Sequence, residues 1–192
     1  MKKIIVALAL FMAGFSAEAQ LKTPQSSPKT TIVQSVGLTD VEINYSRPSA
    51  RGRVVFGNLI PFGKVWRTGA NENTTVSFSD DVVIDGKTLK KGKYSLYTIP
   101  KIESWEIIFY KTTDNWGNPA EWKEENVALR TTVKPETLNK KVETFTIGVS
   151  GLDNNFAILE IYWENSYAAL KFEVPTQQKA IANIDKVLAG PA

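Results

Sequence analysis

The chain has no cysteine and no histidine among its 192 residues. Without cysteine there is no disulfide, so a folded state must rest on core packing alone. Without histidine, the commonest general base, the commonest zinc ligand and the side chain that titrates near neutral pH are all missing. Serine–histidine and cysteine–histidine nucleophiles are thereby excluded. Catalysis would have to use carboxylates, lysine, tyrosine or hydroxyl groups. A metal site would have to be an oxygen cage for a hard cation such as calcium. No Asp-x-Asp-x-Asp-Gly loop occurs, so neither a metal nor a cofactor is assigned. Long apolar runs are scarce too. Ile4 to Phe15 is free of charge but too short to span a bilayer, and nothing after it approaches the ~20 apolar residues a spanning helix needs.

What stands at the N-terminus is a three-part pattern. Lys2 and Lys3 precede the apolar run, and Ala17-Glu18-Ala19 follows it as a small-x-small cleavage site. Residues 1–19 therefore read as a cleavable secretory signal, with Gln20 as the new N-terminus. The expected address is periplasmic or extracellular. No cysteine adjoins the cut, so lipid attachment there is not expected. The net charge is +3 for the whole chain, and +2 once Lys2, Lys3 and Glu18 leave with the signal. That balance is too even for a nucleic-acid binder.

The remainder has the length of one domain with a substantial core. Residues 20–30 are polar with two prolines and read as an extended lead-in. From 31 to 175 the pattern is short strands. Val41, Ile43 and Tyr45 alternate with Glu42 and Asn44, and Val76 and Phe78 with Thr75 and Ser77; period two marks one buried face. Asp85-Gly86 between two short apolar runs is a hairpin signal. Tyr94–Ile99, Trp105–Tyr110, Phe145–Val149, Ala157–Trp163 and Leu170–Val174 extend the series, with Glu164-Asn165-Ser166 as a break. Asn118-Pro119 is read as opening one short helix to about Asn126, since proline fits the first helical position. Over 176–190, Ala180, Ile181, Ile184, Val187 and Leu188 recur at helical spacing before Gly190-Pro191. The expected fold is mostly β: an antiparallel sandwich or jelly-roll-like domain with one short internal helix and a C-terminal helix.

One segment departs from the composition of the rest. The chain has five arginines against eighteen lysines, and Arg47, Arg51, Arg53 and Arg67 fall close together. Residues 43–71 contain no acid and, with Lys64, carry +5. The segment is rich in Gly, Pro and Asn, so it reads as a long loop between strands, and such loops are usually functional or disordered. Phe56, Phe62, Val65 and Trp66 argue for order. Arginine presents a planar fork suited to carboxylate, phosphate or sulfate, whereas lysine is a point charge. The candidate ligand-binding residues are Arg47, Arg51, Arg53, Trp66, Arg67, Asn71 and Glu72, with Trp66 as a stacking face. The competing reading ties the arginines to loop carbonyls and puts Trp66 in the core. Trp105 and Trp163 fall on strands and are expected in the core. Trp116 and Trp122 flank Asn118-Pro119, where an exposed aromatic edge suits sugar or peptide contact. Arg130 either joins the cluster or pairs with a carboxylate.

These residues carry a resemblance. Tyr45-Ser46-Arg47-Pro48-Ser49-Ala50-Arg51-Gly52-Arg53, Pro61-Phe62-Gly63-Lys64-Val65-Trp66-Arg67-Thr68-Gly69-Ala70-Asn71-Glu72 and Gly92-x-Tyr94-Ser95-Leu96-Tyr97-Thr98-Ile99-Pro100 resemble the signature of domain-of-unknown-function family 2911. The likeness runs from about Thr23 to Val174. It implies an exported bacterial protein, in keeping with the leader, and places the family signature on the arginine-rich loop. It implies no reaction.

Three functions fit this reading. The first is a non-catalytic envelope protein using residues 45–73 to bind an anionic or polar ligand, whether a small molecule, a glycan or an envelope protein. The second is a scaffold whose signature is structural. The third is a carboxylate-based hydrolase such as a glycosidase, which needs two acids facing one cleft; Glu72 adjoins the loop and Asp114, near Trp116, is its candidate partner.

Overall fold

The computed structural model describes residues 23–190. The expected leader at 1–19 lies outside them. Alternation places the first strands: in β2 (Thr39–Ser46), Val41, Ile43 and Tyr45 are buried while Asp40 and Glu42 face out. Strand β1 (Lys29–Val36) pairs with β2 antiparallel, starting two residues inside the segment read as a lead-in. Then come β3 (Thr75–Phe78), β4 (Val82–Ile84), β5 (Lys87–Leu89), β6 (Gly92–Pro100) and β7 (Trp105–Tyr110). Asp85 at φ 50° and Gly86 at φ 71° close the β4–β5 hairpin with the two positive φ angles a type I′ turn requires. Strands β8 (Val127–Val133), β9 (Glu136–Ser150) and β10 (Phe156–Glu173) complete the set, followed by helix α1 (Thr176–Leu188).

The strands form two antiparallel sheets, β1-β2-β3-β6-β7-β8 and β5-β4-β10-β9. Their inner faces meet in one core. Ile43, Val76, Leu96 and Phe109 come from the first sheet, and Ile147, Leu159, Ile161 and Phe172 from the second. Trp105 and Trp163 are both in it, 2% and 1% exposed. With no covalent bridge between the sheets, this apolar burial is what holds the sandwich closed.

Two local expectations are corrected. Glu164-Asn165-Ser166 does not end a strand. Strand β10 runs through it with shifts in its pairing to β9 on either side of Glu164, whose φ is 54°. This is a bulge. The Glu164 carboxylate fastens it by accepting from the Val55 N–H at 2.8 Å and pairing with Lys141 at 3.1 Å. The short internal helix over 118–126 is also absent; only a 3₁₀ turn at Glu124–Asn126 forms. The Asn118 side chain donates to the Val65 carbonyl instead of capping a helix. Trp122 lies on Tyr110, ring centroids 4.6 Å apart, drawing the segment flat over the outer face of β6 and β7. A helix this short has too little intrinsic stability to resist that packing.

Helix α1 forms where its period predicts, but buries no residue. Ile181, Ile184, Val187 and Leu188 are all exposed. Its ties are at its first turns: Thr176 Oγ1 donates to the Asn154 carbonyl, and Lys179 Nζ reaches the Leu38 carbonyl and the Asp80 carboxylate, each at 2.6 Å. No helix among the described residues is long and apolar enough to cross a membrane.

Candidate functional site

The connection from β2 to β3, residues 47–74, is ordered because both sheets hold it. Its first part belongs to the four-stranded sheet. Ala50 N–H donates to the Glu143 carbonyl, Phe145 N–H donates to the Pro48 carbonyl, and Ser49 bridges Thr144. Its later part belongs to the six-stranded sheet. Trp66 and Thr98 exchange backbone hydrogen bonds at 2.8 and 2.9 Å, so Trp66 turns inward and its neighbour Arg67 turns the other way.

Trp66 is 5% exposed, stacks on Trp163 at 5.8 Å and 22°, and donates its indole N–H to the Gly69 carbonyl. It is therefore the floor of the site rather than an open stacking face. Gly69 can only be glycine: its φ is 154°, and a Cβ there would lie 2.8 Å from Thr74 Oγ1.

Four arginines with one side chain find four circumstances. Arg47 is committed to the fold: Nε donates to the Phe145 carbonyl at 3.1 Å and Nη2 to Thr146 Oγ1 at 2.7 Å. Arg53 folds back on the Ala50 and Ser49 carbonyls yet stays exposed. Arg51, at φ 51°, gives one bond to the Ser26 carbonyl, while its own backbone N–H is taken by the Glu143 carboxylate at 2.6 Å. Arg67 Nε is buried without a hydrogen-bond partner. Among the described residues, none of the four makes an ion pair with a carboxylate.

Arg51, Arg53 and Arg67 line a single pocket of about 400 Å³, floored by Trp66 and Trp163. That is within the range of pockets that hold small ligands. Three arginines without a paired carboxylate, two of them exposed, around a part-apolar floor suit the charge and the planar hydrogen bonding of an anion. Ser26, Ser27 and Ser49 add hydroxyl groups at the wall.

Asn71 and Glu72 sit elsewhere. Asn71 Nδ2 donates to the Ser27 carbonyl, and the Glu72 carboxylate pairs with Lys29 at 2.6 Å. Both line a neighbouring cleft of about 360 Å³ with Ser26 and Trp116. A third cleft of about 520 Å³ contains Glu72, Asp114, Lys29, Lys93 and Trp116. Trp116 is 74% exposed; of the two tryptophans flanking Asn118-Pro119, it is the open one. Its loop is fixed from below by Asn73. In the amide orientation that satisfies every neighbour, Asn73 donates to the Asn115 and Gly117 carbonyls and accepts from Ser95 and Tyr97. Arg130 is not part of the cluster and pairs with Glu124 at 3.0 Å. Among the described residues, no group of three or more acids is placed to hold a metal ion.

Of the candidate residues named from composition, Arg51, Arg53, Trp66 and Arg67 line one pocket, and Arg47, Asn71 and Glu72 do not. Sequence reasoning assigned no role to Ser26, Ser27 or Lys29 and expected Trp163 only in the core; these residues come from the segment leading into β1, from β1 itself and from β10, and carry no local signal.

A two-sheet antiparallel sandwich with an arginine-lined pocket between loops of its two sheets is the class this architecture defines. The chain belongs to the family described as Protein of unknown function (DUF2911), whose model matches residues 27–172. The match spans the sheets and the whole arginine loop and leaves α1 outside. No curated protein and no solved structure matches the chain.

Proposed function

We propose that this is an exported, non-catalytic binding protein of the cell envelope. Its arginine pocket takes the anionic group of a small molecule or glycan. The observation that carries the reading is the convergence of Arg51, Arg53 and Arg67 on one pocket with no carboxylate paired to any of them. Arg67 Nε is buried without a partner, which is costly, and a carboxylate, phosphate or sulfate supplies what is missing through charge-assisted hydrogen bonds. Thermal unfolding measured with phosphate, sulfate and galacturonate tests it. A binding anion raises Tm with concentration, and Arg53→Ala abolishes that rise. A Tm that no anion moves overturns the reading and favours the scaffold.

A specific observation also favours the hydrolase: Glu72 and Asp114 line one cleft, as a carboxylate pair must. Against it, Glu72 is held in an ion pair with Lys29. Release of reducing ends from a polysaccharide, lost in Glu72→Gln, would decide for the enzyme.

A further inference from the structure

The three cavities share walls. Ser26 lines both the arginine pocket and the 360 Å³ cleft, and Lys29, Glu72 and Trp116 line both that cleft and the 520 Å³ one. They run side by side along residues 24–29. The far end is also joined to the near one through protein. Gly117, at φ 86°, lies beside Arg67: a Cβ there would stand in ordinary contact, 3.6 Å from Arg67 Nη1. Asn118 fastens the same loop to Val65, two residues before Arg67.

The two ends differ in chemistry. At the arginine end the groups are cationic. Beyond it, Lys29 and Lys93 balance Glu72 and Asp114, leaving a neutral surface of amides, carboxylates and hydroxyls. Over this surface stands the open face of Trp116. A broad exposed indole beside planar hydrogen-bonding groups matches a sugar ring, which offers an apolar C–H face and a rim of hydroxyls.

We infer that the three cavities are one groove for an acidic oligosaccharide, with an acid group held by Arg51, Arg53 and Arg67 and a following sugar ring stacked on Trp116. This inference rests on the anion-pocket reading. It adds the ligand's class and its length. A ligand that engages both ends gains affinity over either part alone, because the second contact is made within the complex.

Calorimetric titration with galacturonate, trigalacturonate, a sulfated galactan tetrasaccharide, maltotriose and triglutamate tests it. An acidic oligosaccharide, uronic or sulfated, is expected to bind at least about tenfold more tightly than galacturonate, a gain of the size one added stacking contact gives. Trp116→Ala removes that gain and leaves galacturonate binding in place; Arg67→Ala weakens every acidic ligand. If galacturonate binds but neither acidic oligosaccharide binds more tightly, or Trp116→Ala changes nothing, the groove is overturned while the anion pocket stands. Equal binding of maltotriose, or tighter binding of triglutamate, also overturns it. If no anion binds, both readings fall together.

Discussion

Arg47 gives its guanidinium to the Phe145 carbonyl and Thr146, while Arg67 keeps Nε buried with no partner. Truncating the first leaves a part-buried carbonyl unsatisfied, and hydrogen bonds to charged groups are worth ~1.5–3 kcal/mol. Arg47→Ala is therefore expected to lower unfolding free energy by about 1–3 kcal/mol. Arg67→Ala removes no hydrogen bond and should cost no more than about 0.5 kcal/mol. Urea midpoints of the two variants separate a structural arginine from a binding one. Equal losses would place Arg67 in the scaffold. The distinction was out of reach in the sequence, where both residues belong to the same acid-free run. What differs is which strand each meets across the fold. Arg47 meets β9, a contact between residues far apart in the chain, and Arg67 meets a cavity.

At the scale of elements, alternation and turn chemistry made β2, β3 and the Asp85-Gly86 hairpin legible, because each is decided by neighbours in sequence. The 118–126 segment was not legible. Its conformation is imposed by Trp122 packing on Tyr110 and Tyr97, a tertiary contact that overrides a weak helical preference. Nor was the Glu164 bulge, whose polar triplet looks like a turn until Val55 and Lys141 are seen to hold it. Helix α1 is legible by period, yet with no buried face it depends on its tethers. Burial pushes the Asp80 carboxyl up, but hydrogen bonds from Lys179, Ser79 and Thr39 outweigh it and hold it below its ordinary 3.8. A carboxylate whose folded pKa is depressed stabilises the folded state above its ordinary pKa and ceases to as pH falls through the folded one. Acidification below pH 3.8 is thus expected to release α1 before the sheets unfold, read as a loss of helical circular dichroism at constant tryptophan fluorescence. Asp80→Asn should show that loss already at neutral pH. A helical signal unchanged in both tests would mean that Thr176 and the Lys179 bond to the Leu38 carbonyl hold the helix without Asp80.

For the molecule as a whole, the pocket lies across the seam of the sandwich. Arg51 and Arg53 ride on turns bonded to β9, and Arg67 on a segment bonded to β6. A ligand touching all three is expected to slow amide exchange on both sides at once, at Ala50 and Phe145 and at Trp66 and Thr98, whose N–H groups make those ties. Exchange slowed on one side only would confine the ligand to one sheet. Trp163 stands beneath both halves, stacked on Trp66 and donating to the Glu143 carbonyl. The gap between the guanidinium groups is consequently set by how thick the core is. The pocket works as a caliper: a substitution deep between the sheets, touching no ligand, alters the jaw width and is read out as affinity.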